Sequence, residues 1–327
     1  MKAAYTICAN NYLAAAKVLT ESFTKHHPGI SFFIVLVDRK DPDIRYEDFC
    51  KENILFIDDI VQLDITGLSK RFSIAELCTT VKPFVFQYFF KQYQQVVYLD
   101  PDICIYAPLT DCWEALNKHT FVLTPHLMNP VDDGKKPSDL YTLRTGIFNL
   151  GFLGLAEGEE LHKFLIWWGQ RLLVYGYSDW DNGMFYDQIW ANYIPVMFTN
   201  YLILKHYGYN VANWNWHERT LVNPGKGWLV NEQYPLVFFH FSSYQYAVPS
   251  VLCKYNTRFN RDNRPDIAAV VDAYHAALKT AGADIVMNAP AWYQQQRLQQ
   301  QIKDFAARPL KEKVRNRLGK IMERILG

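Results

Sequence analysis

Residues 95–105 read QVVYLDPDICI, and the register of apolar and acidic positions in this stretch sets the architecture. Val96 to Leu99 form a short apolar run with the length and composition of a buried strand. Two carboxylates, Asp100 and Asp102, follow directly. In extended backbone, residues i and i+2 point to the same side. Asp100 and Asp102 can therefore converge on one divalent cation, a hard ion that prefers oxygen ligands and can bridge them to a diphosphate. Open α/β sheets bind ligands beyond the carboxyl ends of their strands, which is where this pair lies. A second reading stays open on these residues alone, because Asp-Pro-Asp is also good turn chemistry.

Outward from that strand, apolar runs alternate with helical stretches. Ala3 to Ala9, Ser31 to Val37 and Ile54 to Ile57 read as strands, and Tyr12 to Lys25 as a helix between the first two. Ile74 to Phe90 reads as a helix interrupted near Pro83. Downstream, Thr120 to Pro125, Gly146 to Leu155 and Val237 to Phe241 read as strands. Glu159 to Val174 and Met184 to Tyr193 read as helices. This alternation predicts an α/β fold with parallel strand pairing. From about Arg264 the composition turns to helix formers, with a break near Ala289 and Pro290 and a last segment from Ala291 to Gly327. The chain therefore divides into a catalytic-size domain over residues 1–255 and a helical extension over 256–327.

Composition excludes several classes. With 34 Lys and Arg against 33 Asp and Glu, the net charge is +1, which argues against a nucleic-acid binder. Cys8, Cys50, Cys78, Cys104, Cys112 and Cys253 show no C-x-x-C spacing, so neither a zinc site nor a disulfide framework is suggested and a reducing compartment fits. No apolar run reaches the roughly 20 residues of a spanning helix, and the opening MKAAYTICANNYL lacks an export-type apolar region. The expectation is a cytoplasmic protein, soluble or peripheral at the membrane. Dinucleotide and P-loop glycine motifs are absent, as is the G-x-S-x-G elbow of Ser hydrolases. A metal-held diphosphate remains as the phosphate handle.

At YLDPDI (98–103) the chain resembles the GT-A glycosyltransferases, and in the order of its motifs it is similar to family 8, the group of lipopolysaccharide galactosyltransferases and glycogenin. The resemblance spans about residues 1–245. It implies a Rossmann-like nucleotide-sugar-binding domain with a mixed central sheet. YTICANNYLAAAKVLTESF (5–23) resembles the first strand and helix of that family, which implies base and ribose contacts at Ala9, Asn10, Asn11 and Tyr12. Lys82 in TTVKPFVFQYFF stands where the family aims a basic residue at the donor. GIFNLGFLGL (146–155) resembles the F-N-x-G segment, which implies that Asn149 and Gly151 lie beside the donor sugar. Asp187 and Gln188 in FYDQIWANY resemble the D-Q pair, whose carboxylate holds sugar hydroxyls and whose amide faces the anomeric carbon. His240 in LVFFHFSSY resembles the histidine that completes the metal shell with Asp100 and Asp102.

The resemblance implies a manganese- or magnesium-dependent, retaining transfer of a hexose from a nucleotide sugar, UDP-linked, to a glycan or lipid-linked acceptor. The family's lysine and glycine after the metal histidine are replaced here by Ser242 to Gln245. ANWNWHER (212–219) has no counterpart in family 8 and suggests a bacterial polysaccharide or O-antigen branch. Within it Asn213, Trp214 and His217 are candidate acceptor contacts, with packing as the other reading. Asp179 and Asp181 are candidate bases for an inverting reaction, or turn residues. Two other functions are weighed against transfer: a non-catalytic glycan-binding protein of the same fold, and a sugar nucleotidyltransferase. Between Lys303 and Arg324, apolar residues including Phe305, Leu310, Val314 and Leu318 recur at helical steps among basic ones, a pattern that suits a helix lying on an anionic membrane.

Overall fold

The computed structural model describes residues 1–50 and 53–307. Seven strands carry the argument: β1 (Lys2–Cys8), β2 (Ser31–Leu36), β3 (Ile54–Phe56), β4 (Gln95–Leu99), β5 (Ile103–Ile105), β6 (Phe121–Pro125) and β7 (Phe148–Ala156). The central sheet runs in the order Tyr201–Ile203, β6, β7, β4, β1, β2, β3. β7 pairs antiparallel with both of its neighbours, and every other pairing in the sheet is parallel. The expected mixed α/β sheet is present. All nine residues of β7 are buried, as a strand covered on both faces must be.

Side-chain alternation sends the two faces of the sheet to different partners. Tyr5, Tyr98 and Leu153 pack with Phe86 and Trp168, from the helices Lys82–Phe89 and Glu159–Tyr175. Ala4, Val97 and Phe152 pack on the other side with Leu19 and Phe23 of α1 (Leu13–His26). The break expected near Pro83 is real. One helix ends at Thr80 and the next begins at Lys82, so Pro83 falls in a first turn, where its missing N–H has no helical partner to lose. Upstream, Ser73 and Glu76 close a capping box, with the Ser73 N–H donating to Glu76 Oε2 at 2.6 Å.

One element differs from the sequence expectation. Met184 to Tyr193 is not a single helix: Met184–Phe185 pairs with Ser178–Asp179 in a short hairpin, and a 3-10 turn runs over Gln188–Tyr193. Tyr186 between them has φ +51°, a left-handed conformation through which no right-handed helix propagates. Periodicity does not register such a residue. Its effect is to swing Asp187 and Gln188 inward, where they are 3% and 8% exposed.

Beyond the sheet, Pro265–Thr280 packs against α1, and Leu13 and Val18 share one apolar cluster with Val270, Val271 and Tyr274. Near the expected break at Pro290 the chain turns, and Trp292–Ala307 begins. The Trp292 N–H donates to Asp38 Oδ1 at 2.8 Å, and the Arg39 guanidinium lies 3.8 Å from the Trp292 ring centre. Most of the basic, apolar-striped tail, from residue 308 onward, lies outside the described residues. Among the described residues no helix is long and apolar enough to cross a membrane.

Candidate functional site

β4 ends at Leu99, and the chain turns through Asp100-Pro101-Asp102 into β5. Both readings of that tripeptide are therefore realised: it is a turn, and its two carboxylates point to one place. β5 pairs antiparallel with the strand Phe238–His240, His240 opposite Ile103, and the Phe241 N–H donates to the Asp102 carbonyl at 2.8 Å. This register carries His240 Nε2 to 3.1 Å from Asp102 Oδ1 and 3.7 Å from Asp100 Oδ2. One ligand atom from each of Asp100, Asp102 and His240 lies within 4.8 Å of the others.

The set fits a divalent cation. Two carboxylates and one imidazole suit manganese or magnesium, ions that retain further coordination positions for substrate oxygens. The floor is a cradle without a side chain: a Cβ on Gly151 would lie 2.5 Å from His240 Cε1 and 2.7 Å from Asp100 Oδ2. The Asp100 N–H donates to the Gly151 carbonyl at 2.7 Å, which fixes the two segments against each other. Tyr98 donates its hydroxyl to Asp100 Oδ1 at 2.5 Å, leaving Oδ2 on the His240 side. Burial alone would push the His240 ring down, but the charge and hydrogen bond of Asp102, with Asp100 behind, outweigh it and raise the pKa. The pocket thus draws positive charge to this point, protons included.

On the other side of Gly151, Lys82 and Asp187 form a buried pair, Nζ to Oδ2 at 2.5 Å. Lys82 also donates to the Leu150 carbonyl at 3.0 Å and lies 4.0 Å from the centre of the Tyr98 ring. Burial pushes the Asp187 carboxyl up and the Lys82 charge opposes it. The Trp168 indole N–H donates to the Asp187 carbonyl at 3.2 Å, locking the backbone where it enters the 3-10 turn. Gln188 donates its amide to the Thr145 carbonyl at 2.8 Å and accepts from Asn149 Nδ2 at 3.4 Å. The structure therefore gathers Asp100, Asp102, His240, Gly151, Asn149, Lys82, Asp187 and Gln188 around one centre.

The first-loop residues divide. A cavity of ≈ 360 Å³ opens beside Asp102 and is lined by Asn11, Tyr12, Ser243, Tyr244 and Tyr274, with no Lys or Arg in its wall among the described residues. Tyr12 is 48% exposed and offers its ring to that space. Ala9 and Asn10 are buried behind it. The Asn10 side chain donates to the Arg39 carbonyl at 3.1 Å and accepts from the Tyr46 hydroxyl at 3.0 Å, so its polar groups brace the loop.

In the segment that matched no family pattern, Asn213 donates to the Ser242 carbonyl at 3.2 Å and His217 Nε2 lies 2.7 Å from the Asn129 carbonyl. Trp214 is buried, with its ring meeting His240 at 5.2 Å and His126 at 5.0 Å, near-perpendicular in both cases. Asp179 accepts from Asn182 Nδ2 at 2.7 Å and from the Asn182 N–H at 3.2 Å, the pattern of a turn residue. His126 was not a candidate on sequence. It stands one residue past an apolar strand, a position where a histidine is ordinarily a core residue, and nothing in spacing or composition sets it apart.

No family model matches the chain. Two curated relatives come from Bacillus subtilis (strain 168), both uncharacterized proteins. YfnF is 22% identical over 283 residues, covering 85% of this chain and 92% of the relative. YfnD is 22% identical over 246 residues, covering 73% and 76%. Among solved structures, the galactosyltransferase LgtC in complex with donor and acceptor sugar analogs aligns with a TM-score of 0.50 at 14% identity, over 90% of this chain and 100% of that one. The likeness shows the fold, which is GT-A, as the sequence resemblance implied.

Proposed function

We propose that this protein is a metal-dependent glycosyltransferase that moves a hexose from a nucleotide sugar, UDP-linked, to a glycan or lipid-linked acceptor with retention of anomeric configuration. The observation that carries the reading is the meeting of Asp100, Asp102 and His240 with an aromatic cavity on one side and the Asp187–Gln188 pair on the other. The nucleoside fits the cavity, its base against Tyr12, and the diphosphate lies at Asp102. A divalent cation bound by the two carboxylates and the imidazole would neutralise charge that builds on the departing diphosphate.

The chain's own groups then do the positioning. Asp187, held by Lys82, accepts hydrogen bonds from donor hydroxyls. Gln188 presents its amide oxygen toward the Asn149 side of the centre and stabilises positive charge at the anomeric carbon. The acceptor hydroxyl attacks from the face that the diphosphate leaves; the new C–O bond forms as the old one breaks, and the hydroxyl proton passes to the leaving oxygen. An inverting reaction needs a free carboxylate base beneath the acceptor. Retention is supported by the engagement of Asp187 with Lys82 and of Asp179 with Asn182; Asp181, the other candidate base, is exposed.

A thermal-shift titration with UDP, GDP, CMP and dTDP compounds, each with and without manganese, tests the reading, because a ligand that binds the native state raises the melting temperature. The expected result is a manganese-dependent shift with UDP compounds that is lost in Asp102→Ala, together with release of UDP from a UDP-hexose. No shift with any nucleotide, alongside binding of a free glycan, would replace transfer with glycan binding.

A further inference from the structure

Thr145, Gln188, Asn149, His126 and Gly151 form one chain of buried polar groups, and backbone groups decide its polarity from both ends. At one end a carbonyl can only accept, so the Thr145 carbonyl takes the Gln188 amide N–H at 2.8 Å and turns Gln188 Oε1 toward Asn149. At the other, a backbone N–H can only donate, so the Gly151 N–H, 3.2 Å away, requires Asn149 Oδ1. Asn149 Nδ2 is thereby left to face two atoms: Gln188 Oε1 at 3.4 Å and His126 Nε2 at 3.3 Å. Both must accept. His126 Nε2 therefore carries no proton, and the neutral ring holds its proton on Nδ1.

The surroundings keep the ring neutral: His126 is 3% exposed, and burial pushes its pKa down to about 3, with the Gly146 and Ile147 backbone in partial opposition. Its Nδ1 is buried with no hydrogen-bond partner among the described residues, so the assignment of the proton to Nδ1 rests on the contact of Nε2 with Asn149. Trp214 packs edge-on against the ring and keeps it from turning. We infer that His126 is a positioning residue: its unprotonated Nε2 holds the Asn149 amide in the one orientation that supports Gln188 with its oxygen toward the reacting centre. This rests on the role given to Gln188 above. Without the acceptor at position 126, one Asn149 N–H loses its partner, and the 3.2 Å bond from the Gly151 N–H is left as the main restraint on the amide's turning. If it turns, the oxygen of Gln188 loses its own donor.

Two measurements test it, one independent of catalysis. Nitrogen-15 NMR of histidine-labelled protein should report His126 with its proton on Nδ1 and a bare Nε2. In Asn149→Asp a carboxylate faces the ring, and Nε2 should become protonated. A protonated Nε2 in the unmodified protein overturns the inference whether or not transfer is found. In steady-state kinetics with a UDP-hexose, His126→Phe preserves the contact with Trp214 and should lower kcat by about 10- to 100-fold, the scale of an active-site misplacement, with donor KM little changed. His126→Gln, whose amide oxygen can accept in the same place, should recover most of the rate. Equal losses in the two variants, or a loss confined to KM, would also refute the assignment. Absence of any transfer by the unmodified protein would count against the proposed function and leave the NMR result to decide the tautomer.

Discussion

Lys82 Nζ and Asp187 Oδ2 are 2.5 Å apart, with side chains only 1% and 5% exposed, although 105 positions separate them in the chain. The pair joins the start of the Lys82–Phe89 helix to the 3-10 turn that carries Gln188. An ion pair this deep contributes little over an apolar pair of equal volume, but removal of one partner strands the other charge. Lys82→Met should lower stability by about 3–5 kcal/mol, and Lys82→Met with Asp187→Leu should regain much of that loss while remaining without activity. Denaturant unfolding of both variants checks this, and equal stability of Lys82→Met and the unmodified protein would contradict it.

Gly151 is intolerant of a single methyl group. A Cβ there would press on His240, Asp100 and Asn149 at 2.5, 2.7 and 2.8 Å. Gly151→Ala is expected to abolish the manganese-dependent nucleotide shift. Gly29→Ala, with no atom of the described residues within 4 Å of the added carbon, should leave the shift intact. The two variants side by side separate the local clash from a general effect of replacing glycine.

The Tyr98 hydroxyl orients Asp100, and its ring lies beside Lys82. Tyr98→Phe keeps the ring and deletes the hydrogen bond. Loss of an outer partner of a metal-binding carboxylate costs about 10- to 100-fold in affinity, so the manganese concentration for half-maximal shift should rise by that factor. A small change in melting temperature without ligand should accompany it. An unchanged manganese midpoint would mean that Asp100 is oriented by its backbone alone.

His27 is a separate case, remote in role from the candidate site. Its Nε2 accepts the Leu109 N–H at 3.0 Å, and burial, with His26 and Lys2 nearby, lowers its pKa from 6.5 to about 4. Between those values the unfolded chain binds a proton that the folded protein does not. Its contribution to stability is therefore complete above 6.5 and is lost as pH falls toward 4. His27→Gln, which can still accept from Leu109, should flatten the fall of melting temperature over that interval. A slope identical to that of the unmodified protein would show that His27 titrates alike in both states.

Much of this organisation is legible in the chain because the governing signals are local. The run Val96–Leu99 followed by Asp100 and Asp102 marks both a buried strand and its functional end, and His240 follows a second apolar run. Pro83 marks a helix start through its ring geometry. What escaped depends on groups far apart in sequence. The 3-10 turn at Gln188 follows from the left-handed Tyr186, which apolar periodicity does not record. His126 acquires meaning only when Asn149 and Gln188 are folded beside it. Lys82 reads as a basic group aimed at a ligand, and only the packed structure reveals that its charge is already matched by Asp187.

The antiparallel ribbon of β5 and Phe238–His240 places His240 by counting residues. A deletion between Leu236 and Phe239 would therefore do more harm than any single exchange of side chain there. Shortening that strand by one position moves each later residue to the opposite face. Phe241 would then occupy the site of His240, and an apolar ring would stand where the third ligand belongs. For this ribbon, length is as much a part of the chemistry as the identity of the histidine.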